Sequence, residues 1–122
     1  MKSIVIIEHD NKNIKQSSFS TITAANKISN DVEVLVLGNK IDKIVSELKK
    51  TSNVSMINFA DFEFLANQIA EDLSKVIISF LDKNNFTHIL LPSSTFGKNL
   101  GPKIATLLDV QQISDVINII DR

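Results

Sequence analysis

The sequence predicts one α/β domain, a doubly wound parallel sheet with strand order 3-2-1-4-5. Three observations carry this expectation. Short β-branched runs alternate along the chain with segments whose apolar residues recur at helical spacing. Ile, Leu, Val and Phe supply 45 of 122 residues, enough to bury a core, and the length suits one domain rather than two. The runs also differ in apolarity, which sorts central strands from edge strands.

Each element follows from its own spacing. Residues 4–7 (Ile-Val-Ile-Ile) form the first strand, ending at Glu8-His9-Asp10. Phe19, Ile22, Ala25 and Ile28 mark the first helix, with Ser18 as its expected N-cap. Val32, Val34 and Val36 give a strand that stops at Gly38. Asn39 is placed to cap a helix striped by Ile41, Ile44, Val45 and Leu48, with Asp42 and Lys49-Lys50 at the ends the helix dipole favours. Residues 54–59 read as a weaker strand, interrupted by Ser55 and Asn58. Asp61 is expected to cap a long helix running through Phe62, Leu65, Ala66, Ile69, Leu73, Val76, Ile77 and Phe80 to Lys83-Asn84-Asn85. Ile89-Leu90-Leu91 is an apolar strand ending at Pro92. The next helix is expected from about Asn99, with Gly101 and Pro102 in its first turn, where proline is tolerated. Residues 113–120 give the last strand. Strands alternating with helices imply parallel pairing through right-handed crossovers. The most apolar strands, 4–7 and 89–91, belong in the middle, and 54–59 at an edge.

Composition excludes several classes. Net charge is −1, with 13 cationic residues spread among 14 carboxylates, so no basic nucleic-acid footprint or polybasic membrane patch is present. Cysteine is absent, which removes disulfides, thiolate metal sites and Cys nucleophiles. No apolar run approaches the ~20 residues of a membrane span, and the N-terminus lacks a signal-peptide pattern. A cytoplasmic protein is expected. Trp and Tyr, which favour interfaces and base stacking, are also absent.

In such sheets ligands sit at the carboxyl ends of the strands where the strand order reverses, here between strands one and four. That crevice gathers Glu8, His9 and Asp10, then Gly38 and Asn39, then Pro92-Ser93-Ser94-Thr95-Phe96-Gly97-Lys98-Asn99. Hydroxyls, a glycine and a lysine before a helix N-terminus suit an anion, through orphan amides and the helix dipole. The same residues equally serve as caps. The stretch is not a Walker A loop, since Pro92 and Asn99 stand where that motif needs Gly and Ser or Thr. His9 and His88 are expected at opposite poles of the sheet, roughly 15 Å apart at ~3.3 Å per residue, so a two-His metal site is not expected. No Gly-x-Ser-x-Gly elbow and no Gly-x-Gly-x-x-Gly fingerprint occur. Phe96, an aromatic in a loop, suits either an interface or local packing.

Beyond these patterns, three segments resemble a known family. They are Ile7-Glu8-His9-Asp10-Asn11, Thr21 to Ala25, and Val34-Leu35-Val36-Leu37-Gly38. The densest resemblance is Ile89 to Val116, with Thr-Phe-Gly-Lys-Asn-Leu and Gln-Ile-Ser-Asp-Val inside it. Together they resemble the N-terminal part of the electron transfer flavoprotein α subunit over the whole chain. Gly101 departs from the bulky apolar residue usual in that family, and Lys103 from the usual Arg, whose bidentate contact a lysine would weaken. The resemblance implies a Rossmann-like fold of the adenine nucleotide alpha hydrolase-like type. It implies residues 1–122 as a single N-terminal domain, with the C-terminal FAD-binding domain absent. It implies a heterodimer with a β subunit, carrying FAD mainly on the α subunit's C-terminal domain and AMP in the β subunit. Electrons would pass from dehydrogenases to a membrane quinone reductase. The present domain would be scaffold and β-subunit contact, with no catalytic residues, no membrane insertion and no flavin of its own.

The competing reading is a freestanding adenine-nucleotide-binding module of the universal-stress-protein type, although the Gly-rich phosphate loop usual there is missing. A small hydrolase lacks a nucleophile. Side chains are expected to fill the switch-point crevice, leaving no nucleotide bound. Residues 113–120 are expected to leave an apolar sheet edge, with Ile113, Val116, Ile117 and Ile119 as interface candidates. A homo-oligomer would then cover that edge, and Ile117→Lys would shift it toward monomer.

Overall fold

The computed structural model describes residues 1–113 and 115–119, with Ile113 described by its backbone alone. The elements run β1 (Lys2–Ile6), α1 (Gln16–Ile28), β2 (Asp31–Gly38), α2 (Asp42–Lys49), β3 (Met56–Asp61), a single 3-10 turn (Glu63–Leu65), α3 (Ala70–Leu81), β4 (His88–Leu90), α4 (Thr95–Leu108), β5 (Gln112–Ile113) and β6 (Val116–Asn118). The sheet order is β3-β2-β1-β4-β6-β5, and β1 to β4 are mutually parallel. The predicted order 3-2-1-4-5 holds, with the fifth strand realised as the β5–β6 hairpin.

Alternation along the strands divides the core into two layers. Ile4, Ile6, Leu35, Leu37, Ile89 and Leu91 face α3 and α4, where Leu73, Ile77, Leu100 and Ile104 close the packing. Val5, Ile7, Val34, Val36 and Leu90 face Ile22 and Ala25 of α1 and Ile44, Val45 and Leu48 of α2. Both faces are covered, so even Glu33 on the central β2 is buried. It is paired with Lys2 at 3.0 Å and accepts a hydrogen bond from the Asn58 amide at 2.9 Å.

The last strand departs from the expected geometry. β6 pairs antiparallel with β4 (Ile89 opposite Ile117), and β5 pairs antiparallel with β6. β5 therefore runs parallel to β4, as the crossover rule requires, and β6 folds back into the gap between them. The apolar edge expected along 113–120 is thus divided. Ile117 is fully buried and Ile119 buried in the α3–α4 layer, and Val116 packs against the α1–α2 layer. Only the two-residue β5 remains outermost at that end of the sheet among the described residues. Ile120, Asp121 and Arg122 lie outside the described residues. The homo-oligomer was expected from an edge along the whole of 113–120, of which β5 is the outermost strand.

Four boundary expectations are corrected. Ser18 lies inside α1, which starts at Gln16 after Lys15 with no side-chain cap. Asn39 does not cap α2, whose approach is held by Asp61 instead: its carboxylate accepts from the amides of Lys40 (2.7 Å) and Ile41 (3.2 Å). That use of Asp61, with Gln68 in the left-handed region (φ 52°), breaks the expected long helix, and α3 begins only at Ala70. The stripe residues Phe62 and Ile69 are accordingly exposed. Finally, α4 starts at Thr95 rather than near Asn99, because Ser94 is its N-cap. Pro102 therefore sits inside the helix rather than in its first turn, on an exposed face where water can serve the carbonyl left without a donor.

Candidate functional site

β1 delivers Glu8 to the switch point between β1 and β4, and the surrounding loops fold onto its carboxylate. Glu8 Oε1 accepts hydrogen bonds from the Ser17 hydroxyl at the start of α1 (2.9 Å) and from the Ser94 hydroxyl at the start of α4 (2.8 Å). The backbone of Glu8 is held as well. Its N–H donates to Ser18 Oγ (2.7 Å), and its carbonyl accepts from Lys15 N–H (2.9 Å) and Ser18 Oγ (3.1 Å). Ser18 was legible as a helix-terminus residue; its partner was not. Ser94 also accepts from Gly97 N–H at 3.4 Å, and its carbonyl accepts from Lys98 N–H at 2.8 Å. Ser94 thereby satisfies one amide of the first turn of α4, that of Gly97, and its own hydroxyl donates to Glu8. The carboxylate takes the Ser94 hydroxyl and puts a like charge close to the place where an external anion would approach the start of α4.

His9 turns the other way, toward β2. The Asn11 N–H donates to Nδ1 at 2.9 Å, so that nitrogen carries the lone pair. The proton is then on Nε2, which donates to the Leu37 carbonyl at 2.8 Å. The ring is neutral, and burial holds its pKa below the ordinary value, against the opposing pull of the Leu37 carbonyl and of Asp10 and Glu8. Asp10 closes its own loop, accepting from Lys12 N–H (2.9 Å) and Asn13 N–H (2.7 Å); these amides lower its pKa. Gly38 is needed by close approach, since a Cβ there would lie 2.7 Å from His9 Cε1 and 2.8 Å from Asn11 Oδ1.

The remaining predicted residues separate. Thr95 and Lys98 are exposed, and Ser93 is exposed on a groove of about 370 Å³ shared with Ser17, Ser20 and Thr21 of α1. Ser93 also lines a second groove, with Lys98, Pro102, Gln112 and Asp115. Gly97 is buried against Pro92. Phe96 is half-buried and packs on the α3–α4 layer. Gly101 makes room for the Gln112 side chain, and Lys103 is exposed on α4. His88 is at the opposite pole, paired with Ser3 at the start of β1. Among the described residues no group of three His, Asp or Glu could hold a metal, and no helix is long and apolar enough to cross a membrane.

Two residues that the sequence reading missed tie this region together. Asn11 donates to the Ala66 carbonyl (2.8 Å) and accepts from Asn39 N–H (3.0 Å). Gln68 donates to the carbonyls of Leu37 (2.7 Å) and Leu65 (2.8 Å). Gln68 was concealed inside an apparent helical stripe; Asn11, beside Asp10 in a polar loop, carried only a turn signal.

The neutral His9 makes a pH prediction. The unfolded imidazole takes up a proton below about pH 6.5, while the native ring resists until lower pH. The unfolded state then binds more protons, so stability is full above that range and falls as pH drops through it. In His9→Gln this contribution to the slope is removed. Urea titrations at pH 8 should show the variant about 1–2 kcal/mol less stable through its lost hydrogen bonds, with the gap narrowing toward pH 5. Parallel curves would show that the ring titrates normally.

The sequence profile of the electron transfer flavoprotein domain matches residues 3–122. Similar proteins include the mitochondrial electron transfer flavoprotein subunit alpha of Dictyostelium discoideum, 36% identical over 97% of this chain and 35% of its own length. The electron transfer flavoprotein subunit alpha of Pseudomonas aeruginosa is 34% identical, over 98% of this chain and 38% of its length. A probable mitochondrial subunit alpha of Caenorhabditis elegans is 36% identical, over 96% and 35%. The chain thus spans little more than a third of the length of these relatives. With a doubly wound sheet of the expected order and a profile match over nearly every residue, the chain belongs to the electron transfer flavoprotein family, as an N-terminal domain of the alpha-subunit type.

Proposed function

We propose that this chain is the scaffold and β-subunit-contact domain of an electron transfer flavoprotein, a carrier that takes electrons from dehydrogenases and delivers them to a quinone reductase through FAD. One observation carries the assignment of a scaffold role. At the crevice where a doubly wound sheet binds its ligand, the Glu8 carboxylate is bonded to the hydroxyls of Ser17 and Ser94. A phosphate brought there would meet a fixed carboxylate of like charge, in contact with the hydroxyls it would need. The three glycines, at 38, 97 and 101, are engaged in close packing and do not form a pyrophosphate loop. These residues do not fit a flavin, which this reading places on another part of the flavoprotein, with AMP in the β subunit. The domain works in the cytoplasm and makes no covalent or redox step itself. The same carboxylate counts against the freestanding nucleotide-binding module.

The test is to purify the chain alone and together with the β subunit from the same source. The isolated chain should be colourless, bind added FAD weakly or not at all, and co-elute with the β subunit. A stoichiometrically yellow preparation would overturn the reading. So would calorimetric binding of AMP or ATP tighter than about 10 μM, roughly −7 kcal/mol.

A further inference from the structure

Five non-glycine residues have left-handed backbone among the described residues. Three of them, Asn11 (φ 70°), Lys40 (φ 56°) and Gln68 (φ 52°), belong to segments that meet at the carboxyl ends of β1 and β2. Asparagine tolerates this region. Lysine and glutamine seldom enter it, and a backbone so placed persists only where its surroundings hold it. Here a polar junction holds it, between the loop after β1, the exit of β2 and residues 62–69.

Residues 62–69 form a strap over this junction with a small apolar footing. Leu65 is its one buried side chain, and Phe62, Phe64 and Ile69 are exposed. Hydrogen bonds supply further attachments. Phe62 N–H donates to the Gly38 carbonyl (2.9 Å), the Gln68 side chain to the Leu37 carbonyl (2.7 Å) and the Asn11 side chain to the Ala66 carbonyl (2.8 Å). Asn11 Oδ1 also accepts from Asn39 N–H, so Asn11 clamps the strap and the exit of β2 together. A segment with so few apolar contacts can open locally while the sheet stays folded.

Asn11 is in turn held by His9. Its N–H donates to Nδ1, and Nε2–H donates to the Leu37 carbonyl, the acceptor that Gln68 shares. Both ring nitrogens are committed, and the arrangement requires the neutral ring. A proton on Nδ1 would set N–H against N–H and break the bond to Asn11. The charges acting on the ring are Asp10 and Glu8, its chain neighbours, and both favour the proton. From β2 the ring meets the Leu37 carbonyl and Gly38. Asp61, at the end of β3, is bonded to the amides of Lys40 and Ile41, and Glu63 of the strap is exposed. Burial opposes the proton and prevails. A released ring takes up the proton more readily, so acid favours the open form.

We propose that His9 and Asn11 form a pH-sensitive latch on the strap 62–69: protonation of the His9 ring frees Asn11, and the strap lifts from the exit of β2 while the sheet stays folded. The left-handed turns at Lys40 and Gln68 relax in the open form, which favours it. Opening uncovers the Leu37 and Gly38 carbonyls and the socket of Leu65.

Nuclear magnetic resonance of the full chain from about pH 8 down to about pH 5 tests this, with the His9 ring reporting its own midpoint below the ordinary value of about 6.5. The amides of Asn39, Phe62, Ala66 and Gln68 should shift or broaden with that same midpoint, while those of Val34 and Leu90 in the sheet should stay in place. Asn11→Ala should show the open-state signals already at about pH 8 and lose the pH dependence. Asp10→Asn keeps an acceptor for the Lys12 and Asn13 amides and removes a charge that favours the proton. It should lower the ring and strap midpoints together. Strap amides that stay in place while His9 titrates overturn the latch. So does a strap that opens only together with Val34 and Leu90, in acid unfolding of the whole domain, or one whose midpoint ignores Asp10→Asn.

Discussion

Ile117→Lys is expected to unfold the domain rather than change its association. Ile117 is completely buried, opposite Ile89 in the β4–β6 ladder, and belongs to the layer closed by α3 and α4. The substitution loses an aliphatic side chain from that layer and brings in an ammonium that has no partner there. Lost packing costs about 2–5 kcal/mol, and the unpaired charge adds to it. The total reaches about 5 kcal/mol or more, comparable with the whole stability of many domains of this size. Circular dichroism should show loss of the cooperative transition, and light scattering should show expansion or aggregation, not a clean monomer. Ile117→Val, which removes one methylene, should cost about 1 kcal/mol and keep the fold. A folded Ile117→Lys protein with an unchanged denaturation midpoint would mean that β6 is not buried between β4 and β5.

Gly97→Ala should be nearly as damaging, for a different reason. A Cβ at this position would lie 1.9 Å from the Pro92 carbonyl oxygen and 3.0 Å from its carbon. Both atoms are backbone, held by the β4 exit and the Ser94 cap, so relief requires the first turn of α4 to move. That movement would also disturb the Ser94–Glu8 hydrogen bond. The expected cost is about 3 kcal/mol or more, at or beyond the upper end of ordinary overpacking, read from urea denaturation midpoints. Gly101→Ala is the matched control on the same helix. The nearest atoms to its Cβ belong to the end of the flexible Gln112 side chain, 2.4 Å away at Nε2, which can shift more readily than backbone, while alanine gains about 1 kcal/mol of helix propensity over glycine. Its net change should stay within about 1 kcal/mol. Equal destabilisation at both positions would count against a backbone clash at Gly97.

The sequence by itself determined the sequence of strands and helices, the parallel core of the sheet and the two apolar layers. Those features depend on spacing. Period two in Val32-Val34-Val36 and the 41-44-45-48 stripe of α2 each specify an element and its buried face within a dozen residues. Apolarity along 4–7 and 89–91 similarly placed β1 and β4 in the centre. The Glu8 crevice was legible in position, because strand order fixes where the carboxyl ends converge, and several of its residues are the ones the sequence marked.

Tertiary structure alone decided which side chain meets which. Ser18 and Asp61 both have the chemistry of N-caps, and each was drawn away by a group distant in sequence: Ser18 by the backbone of Glu8, Asp61 by the amides of Lys40 and Ile41. Gln68 looked like one position of a continuous helix until its side chain bonded the Leu37 carbonyl and its backbone turned left-handed. Glu8 and Ser94 are 86 residues apart, and no local pattern reports that the carboxylate would take the Ser94 hydroxyl. The direction of β6 was equally hidden, since an isoleucine-rich alternation buries the same face whether the strand runs parallel or antiparallel. Local periodicity fixes elements because backbone geometry repeats every 2 or 3.6 residues. Polar pairing and strand direction are settled only when chain closure brings a donor, an acceptor or an open sheet edge within a few ångströms.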